Sequence, residues 1–213
     1  MKIAIIGATG FIGSVILREA LQRGHQVSAI VRHPEKLPEH PALTALKGDI
    51  TIETEAAALL AGQAAVISAY SPGSITGDVS QQYISTYHSI INAMKTAGVK
   101  RLLVTGGAGS LEVAPGVQLV DTPAIPDEWK AGVLGLREVL YLLRAEPELE
   151  WTFLSPSATI MHGERTGQFR LGGDQLLLDG NGQSRISVED YAIAMVDELE
   201  NPQHIRQRFT VGY

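Results

Sequence analysis

The chain has 213 residues, of which 45% are hydrophobic, and a formal net charge of −6. This length and composition suffice for one compact domain, and an acidic balance without clustered Lys and Arg argues against nucleic acid as the main partner. The chain has no cysteine, which excludes disulfides, thiolate zinc sites and cysteine nucleophiles. No apolar stretch approaches the roughly 18 residues of a membrane span, so we expect a cytoplasmic protein that does not bind membranes.

Short apolar runs alternate with longer segments of helical periodicity. This alternation is typical of parallel strands joined by crossover helices. The runs predict strands at residues 2–6, 26–31, 43–47, 64–69, 100–105 and 150–155. We therefore expect an α/β fold, with a doubly wound parallel Rossmann sheet in a single domain.

Start and stop signals mark three helices between these strands. The first has an apolar face and ends at Gly24, because glycine adopts the left-handed conformation without strain. The second begins after Asp78, an N-cap residue, and ends at Gly98. The third covers residues 127–145 and stops before Pro147.

The last 58 residues differ in character, since glycines separate their short apolar pieces. Ser187 then caps a helical run, with Asp190 at the capping-box position. We expect residues 156–213 to form a small C-terminal subregion over the carboxyl edge of the sheet, on the substrate side.

Three glycines follow the first strand in the stretch IIGATGFIGS. At a strand-to-helix junction, Gly7 permits a tight turn, Gly10 lets a diphosphate approach backbone N–H groups, and Gly13 lets helix and strand pack closely. A tight turn without a ligand is the alternative. No Gly-Lys-Ser/Thr follows, which excludes a P-loop. The predicted cofactor contacts of this turn are Gly7, Thr9, Gly10, Phe11, Ile12 and Gly13.

The end of the second strand favours NADP over NAD. Arg32 occupies this place in the stretch AIVRHPEKL, with His33 and Lys36 nearby. A basic side chain there accepts a 2′-phosphate, which a carboxylate would repel. Asp49 and Ile50, after the third strand, are predicted to hold the adenine amine and pack against its face. The alternatives are that Arg32 is an ordinary surface residue and that Asp49 only starts the next helix.

The stretches GATGFIGS, VRHPEKL, GDI, VTGGAGSL, LSPS and ISVEDYAIAMVDEL extend over nearly the whole chain. With them, the chain resembles the atypical short-chain dehydrogenase/reductases, and within these the NADH-flavin reductases related to biliverdin reductase B. The resemblance implies an NAD(P)-binding Rossmann fold and a reductase activity. GATGFIGS alone is shared with sugar epimerases and with redox-sensing regulators that bind NADP without turnover.

The Tyr-x-x-x-Lys pair of most of that wider family is absent, because no tyrosine has a lysine four residues later. Reduction of a ketone creates a basic alkoxide, which requires a positioned acid. Flavins and quinones delocalise the charge that a hydride brings, so stacking and distance carry most of the catalysis. A flat, conjugated acceptor, with flavin as one candidate, is therefore favoured.

The loops after the fourth and fifth strands are expected to line the site. Ser68 and Ala69 are small enough to let a ribose approach, and Tyr70 either borders a ring or packs in the core. Gly106 is a further predicted cofactor contact. Ser110 resembles the active-site serine of the related flavin reductases and is predicted to be catalytic, a turn serine being the alternative.

The loop after the sixth strand contains Pro156 and Ser157, which resemble the loop that lies against the nicotinamide. Ser157 replaces the relatives' histidine and is the second predicted catalytic residue. His162 either substitutes for that histidine or is a solvated loop residue. Residues 111–126, with three prolines, are expected to form a lid over the acceptor, and Trp129 either stacks on a planar ligand or packs in the core.

We therefore expect an NADP-dependent reductase that passes a hydride to a flavin, quinone or similar acceptor. The alternatives are a redox sensor that binds NADP without turnover and a nucleotide-sugar epimerase or dehydratase. The expected partner is a small planar molecule, and the expected oligomeric state is a monomer or homodimer. No metal site is predicted, because the histidines lack metal-ligand spacing.

Overall fold

The computed structural model describes residues 1–72 and 78–213. The strands are β1 (Lys2–Ile6), β2 (Gln26–Val31), β3 (Leu43–Lys47), β4 (Ala65–Ser68), β5 (Arg101–Thr105), β6 (Glu112–Ala114), β7 (Val117–Gln118), β8 (Glu150–Ser155), β9 (Thr159–Met161), β10 (Arg170–Gly172), β11 (Arg185–Ser187) and β12 (Gln207–Gly212). The helices are α1 (Gly13–Gln22), α2 (Glu53–Leu60), α3 (Val79–Ala97), α4 (Asp127–Arg144) and α5 (Val188–Glu200).

The central sheet has eight strands in the order β3-β2-β1-β4-β5-β8-β12-β10. Its neighbouring strands are parallel except for the antiparallel pair of β10 and β12. The order from β3 to β8 is that of a doubly wound Rossmann sheet, so the predicted fold class is confirmed. The chain returns from the edge strand β3 past β1 to β4, which places the topological switch point between β1 and β4. Ligands of such sheets bind at this point, beyond the carboxyl ends of the strands.

The two faces of the sheet are covered by different helices. Alternation along β1 sends Ile3 and Ile5 into a cluster with α1 and α5, and sends Ala4 and Ile6 into a cluster with α2, α3 and α4. Both clusters consist of buried apolar side chains. The sheet therefore has the continuous apolar strands expected when helices bury both faces.

The helix signals of the sequence act where they were predicted. Asp78 accepts a hydrogen bond from the backbone N–H of Gln81 at 2.9 Å, and Gly98 ends α3 with a left-handed φ of 72°. Gly24 likewise has a positive φ directly after α1. Asp78 thereby fixes the start of α3 at the carboxyl edge of the sheet, whereas Gly24 and Gly98 end their helices at the opposite, amino edge.

Within residues 156–213, β12 extends the central sheet beside β8 and α5 packs on α1, and the place of this subregion over the carboxyl edge stays a prediction. Ser187 caps α5 as predicted, accepting a hydrogen bond from the backbone N–H of Asp190 at 3.0 Å. The Asp190 carboxylate does not complete a capping box. It accepts hydrogen bonds from the N–H groups of Thr166 and Gly167, because this loop brings its unpaired donors to the start of the helix.

Candidate cofactor-binding site

A cavity of about 830 Å³ lies at the carboxyl ends of β1, β2, β4 and β5. Its volume is within the range of roughly 300–1,000 Å³ found for small-molecule and cofactor sites. The predicted cofactor contacts that line it are Gly7, Thr9, Gly10, Phe11, Ile12, Arg32, Asp49, Ile50, Ala69, Tyr70 and Gly106. The predicted contacts outside its lining are Gly13, Ser68 and Pro156. The cavity thus follows the switch point, where a Rossmann sheet binds its ligand.

Two glycines of the first turn are required by the chain itself. Gly7 has a φ of 76°, and a Cβ there would lie 2.5 Å from the carbonyl oxygen of Ala69. A Cβ on Gly13 would lie 2.1 Å from the carbonyl oxygen of Gly7, which explains why Gly13 packs under the turn instead of lining the cavity. Gly10 is different, since its added Cβ would meet only the Gly7 oxygen, at 3.3 Å. Packing within the protein therefore explains why positions 7 and 13 require glycine. At Gly10 the missing side chain instead leaves bare backbone that faces the cavity.

The N-terminus of α1 adjoins this turn. No side chain caps the helix, and its first turn has no acidic residue. Uncapped N–H groups and the positive end of the helix dipole together favour a bound anion. With Phe11 and Ile12 in the cavity lining, this helix end fits a diphosphate group.

The end of β2 brings positive charge to the cavity. Arg32, His33 and Lys36 line it and are exposed, and within residues 1–72 and 78–213 neither Arg32 nor Lys36 forms a salt bridge. His33 lies 3.0 Å from a carboxylate oxygen of Glu35. A phosphate at this end of the cavity would therefore meet cations that are not neutralised by the described protein.

Asp49 faces the same end of the cavity. Its Oδ1 accepts hydrogen bonds from the backbone N–H of Thr51 at 2.9 Å and from the Thr51 hydroxyl at 2.7 Å. These bonds, and the charge of Arg32, hold the pKa of Asp49 below its usual value. α2 begins only at Glu53 and its N-cap position is Ile52, so Asp49 does not cap that helix. The carboxylate is instead held ionised in the cavity wall.

The loop after β4 divides its predicted contacts between the core and the cavity. Ser68 is fully buried, and its hydroxyl lies 3.0 Å from that of Tyr87, beneath the cavity lining. Tyr70 is half-buried, lines the cavity, and meets the ring of Tyr83 edge-on with the centroids 6.0 Å apart. Tyr70 thus packs on the core through this contact and also lines the cavity, and its contact with a ligand ring stays a prediction.

Residues of α3 were missed as part of the site. Gln82, Tyr83, Ser85 and Thr86 line the cavity, and the Tyr83 hydroxyl donates to Ser71 Oγ at 3.3 Å. The buried apolar side chains of this helix, among them Tyr87, Ile90 and Met94, by themselves indicate only core packing. Polar residues at 82, 85 and 86, spaced as i, i+3 and i+4, form a second stripe that was the available signal.

The two predicted catalytic serines do not line the cavity. Ser157 is buried, and its hydroxyl donates to the carbonyl oxygen of Val211 in β12 at 2.9 Å. Ser110 is also buried, with the Arg208 guanidinium 3.4 Å from its hydroxyl. Pro156 is buried beside Ser157. β12, which the sequence did not predict, supplies the partners that hold both hydroxyls, and their catalytic roles stay predictions.

Residues 111–126 do not form the expected lid, since none of them lines the cavity. β6 and β7 pair as an antiparallel hairpin, and Leu111, Leu119 and Val120 are buried beneath it. Trp129 is not packed in the core, because it is 62% exposed, and it does not line the cavity, so its stacking on a planar ligand stays a prediction. The prolines therefore mark a small anchored hairpin.

The part of the chain that the structure describes contains neither a cluster of metal-binding side chains nor a helix that could span a membrane. Residues 1–72 and 78–213 hold no group of three His, Cys, Asp or Glu side chains placed to bind a metal ion. None of the helices in the same ranges is long and apolar enough to cross a membrane.

Comparison with known proteins agrees with this geometry. The Bacillus subtilis protein YwnB, itself uncharacterized, is 40% identical over 214 aligned residues, which cover 99% of this chain and 98% of that protein. A solved Bacteroides thetaiotaomicron structure, provisionally named an epimerase, is 47% identical with a TM-score of 0.94, covering 100% of this chain and 96% of that one.

A second solved structure, a Streptococcus pneumoniae protein provisionally named an NADH-flavin reductase, is 35% identical with a TM-score of 0.86, covering 100% of this chain and 99% of that one. The predicted resemblance is thereby confirmed. A family model described as NAD(P)H-binding matches residues 7–202. The chain therefore belongs to this NAD(P)H-binding family and has its oxidoreductase-like Rossmann fold.

Proposed function

We propose that the protein is an NADPH-dependent reductase that transfers a hydride to a flavin, quinone or similar planar acceptor. The observation that carries the proposal is the extent of the cavity. It runs from Arg32 at the end of β2, past the uncapped start of α1, to Thr105 and Gly106 at the end of β5. A dinucleotide crosses a Rossmann sheet along the same crevice.

Each part of this cavity suits one part of the cofactor. Arg32 and Lys36 would bind the 2′-phosphate, Asp49 and Ile50 would contact the adenine, and the turn at Gly10 would bind the diphosphate. The nicotinamide, when bound, supplies the hydride. The chain itself must then hold an acceptor near β5 and keep water away from the reacting atoms.

The cavity lining favours a conjugated acceptor over a simple ketone. Its tyrosines are Tyr70 and Tyr83, and burial raises the pKa of Tyr83 because the phenolate would be poorly solvated. Among the lining residues, the only lysine is Lys36, which lies with Arg32 at the β2 end. A tyrosine acidified by a neighbouring lysine is therefore not available in the described lining, and an acceptor that spreads its own negative charge is the better match.

The test begins with binding. NADPH and NADP⁺ are titrated into the protein by calorimetry, and oxidation of NADPH is then followed with FMN and with a water-soluble benzoquinone. We expect binding of both nucleotides and oxidation that depends on the protein and on the acceptor. Binding of NADPH without reduction of either acceptor would contradict the proposal.

The second candidate is a nucleotide sensor that binds NADP without turnover. The observation that favours it is the burial of Ser110 and Ser157, which leaves neither predicted catalytic side chain in the cavity lining. A sensor predicts no reduction of any acceptor, together with a protein partner whose affinity depends on the bound nucleotide.

A further inference from the structure

The loop 162–167, here called the rim loop, is held by the start of α5. Ser187 Oγ donates to the carbonyl oxygen of Glu164 at 2.9 Å. The Asp190 carboxylate accepts from the backbone N–H of Thr166 at 2.8 Å and from its hydroxyl at 2.6 Å. The stretch ISVEDYA, which the reductase-like function did not explain, thus fixes the backbone of this loop.

The rim loop is also tied to α1, the helix that begins at the cavity. Arg165 forms a bidentate pair with Glu19, with nitrogen-to-oxygen distances of 2.7 and 2.9 Å. Glu19 is buried, and the hydrogen bond from Arg165 is the main cause that lowers its pKa. Since α1 and α5 hold the loop from two sides, its position relative to the turn at Gly10 is defined.

This loop places His162 beside the cavity. The imidazole meets the ring of Phe11 edge-on, with the centroids 4.9 Å apart and the planes at 75°. Phe11 lines the cavity and is 49% exposed, so a planar molecule that enters there passes close to both rings. The rim loop directly follows β9, which comes after β8 in the chain, and β8 lies on the half of the central sheet that is opposite the adenosine end at β2.

The imidazole is oriented by a carboxylate. Nδ1 of His162 lies 3.0 Å from Oε1 of Glu189, and the backbone N–H of Gly163 donates to Oε2 of the same carboxylate at 2.9 Å. Burial raises the pKa of Glu189, but these bonds lower it by more, so the carboxylate is charged beside the ring. An ionised carboxylate only accepts, hence Nδ1 carries a proton, and Nε2 is the ring nitrogen that is not bonded to Glu189.

The surroundings of His162 suit proton exchange. Its side chain is 63% exposed, so water can return a proton to Nε2. Its charged partner is Glu189 on α5; the other charged groups of the two segments are Asp190 at the start of α5 and, on the rim loop, Glu164 and Arg165, of which Arg165 pairs with Glu19 on α1. Histidine paired with a carboxylate at the edge of a substrate cavity is an arrangement suited to general acid catalysis.

We propose that His162, oriented by Glu189, donates the proton that accompanies hydride transfer to the acceptor. This inference rests on the proposed function. The acceptor gains a hydride from the reduced nicotinamide and a proton from Nε2 of His162. The Nε2–H bond breaks, an O–H or N–H bond forms on the acceptor, the nicotinamide is left oxidised, and water reprotonates the imidazole. His162 is then a catalytic residue and Glu189 a positioning residue.

The kinetic test compares His162→Gln with His88→Gln, a matched control on α3 whose histidine is also exposed. We expect His162→Gln to lower kcat/KM for the benzoquinone by about 10-fold, which is below the roughly 10²–10⁴-fold typical of general acid catalysis because a quinone itself spreads part of the charge that the hydride brings. The wild-type kcat/KM should decline as the pH is raised, because a neutral imidazole has no proton at Nε2 to donate, and this decline should vanish in His162→Gln. The Kd for NADPH, measured by calorimetry, should be unchanged in both variants.

A second measurement does not depend on turnover. Long-range ¹H–¹⁵N spectra of the histidine rings should show the Nδ1–H form for His162 in the wild type and lose this preference in Glu189→Gln. The His162 ring signals should also shift on addition of NADP⁺ and the quinone, whereas those of His88 should not. Glu189→Gln keeps an acceptor for Gly163 but removes the charge, so it should lower kcat/KM for the benzoquinone while leaving the Kd for NADPH unchanged.

The outcomes separate the two proposals. If the wild type binds NADPH but reduces neither acceptor, the proposed function fails and the proton-donor role fails with it. If the wild type reduces the quinone and His162→Gln matches it at every pH, only the role of His162 is overturned. Unshifted His162 ring signals in a protein saturated with NADP⁺ and quinone would overturn that role as well.

Discussion

The choice of NADP over NAD is the prediction most directly tied to a single side chain. Arg32 is exposed and has no salt-bridge partner in the described residues, so Arg32→Gln removes a charge from the cavity without breaking an ion pair of the fold. Hydrogen bonds to charged groups contribute about 1.5–3 kcal/mol each. Because ~1.4 kcal/mol corresponds to a tenfold change in Kd, the expected loss of NADPH affinity is about 10- to 100-fold. Lys36 lines the same end of the cavity and retains part of the attraction, which places the loss toward the lower value.

The assay is calorimetric titration of NADPH and NADH at one ionic strength, since exposed charges are screened by salt. NADH has no 2′-phosphate, so its Kd should be unchanged by Arg32→Gln. Arg18→Gln is the matched control, because Arg18 is an exposed arginine of α1 outside the cavity lining. An equal loss for NADPH and NADH, or no loss for either, would refute the assignment of Arg32 to the phosphate.

Three further predictions follow from the turn and from α1. Gly10→Ala should change the free energy of unfolding by less than about 1 kcal/mol, because the added Cβ meets only the Gly7 oxygen, at 3.3 Å. The same substitution should raise the Kd for NADPH, measured by calorimetry, at least about tenfold. Gly13→Ala, whose Cβ would lie 2.1 Å from the Gly7 oxygen, should cost about 3 kcal/mol in urea denaturation. The hydrogen bond from Arg165 is the main cause that lowers the pKa of Glu19 in the folded protein from its usual 4.5. The ionised Glu19 therefore contributes fully to stability above pH 4.5, and this contribution is lost as the pH falls through the lowered, folded-state pKa. Urea denaturation of Glu19→Gln across that acidic range should therefore show a smaller loss of stability than the wild type, and an equal loss would contradict the linkage.

The central sheet was predictable because its signals are local. β1, β2, β3 and β8 have the bounds that their apolar runs indicated, whereas β4 is one residue shorter at each end and β5 begins one residue later. β12 was not predicted, because Arg208 lies within the strand and interrupts its apolar pattern. That arginine is buried only because it pairs with Asp174, 34 positions away in sequence. A local pattern does not contain such a partner.

The same distinction explains which part of the candidate site was predicted. Gly10, Arg32 and Asp49 each follow a strand directly, so the topology alone brings them to one edge, and all three line the cavity. Ser110 and Ser157 also follow strands, but the direction of a side chain in a longer loop depends on what packs beneath it. Here that element is β12, and it takes both hydroxyls away from the cavity.

The contrast between His162 and His88 extends this argument to function. Both are exposed histidines without a metal-like spacing, and in the sequence only the place of His162, in the loop after the sixth predicted strand, set it apart. Folding separates them, since His162 alone gains a carboxylate from Glu189 and an aromatic neighbour that lines the cavity. Glu189 also binds the backbone N–H of Gly163, so the same carboxylate builds the loop and orients the imidazole. A variant that keeps the loop but removes the charge, as Glu189→Gln does, is therefore the one that distinguishes a structural clamp from a proton relay.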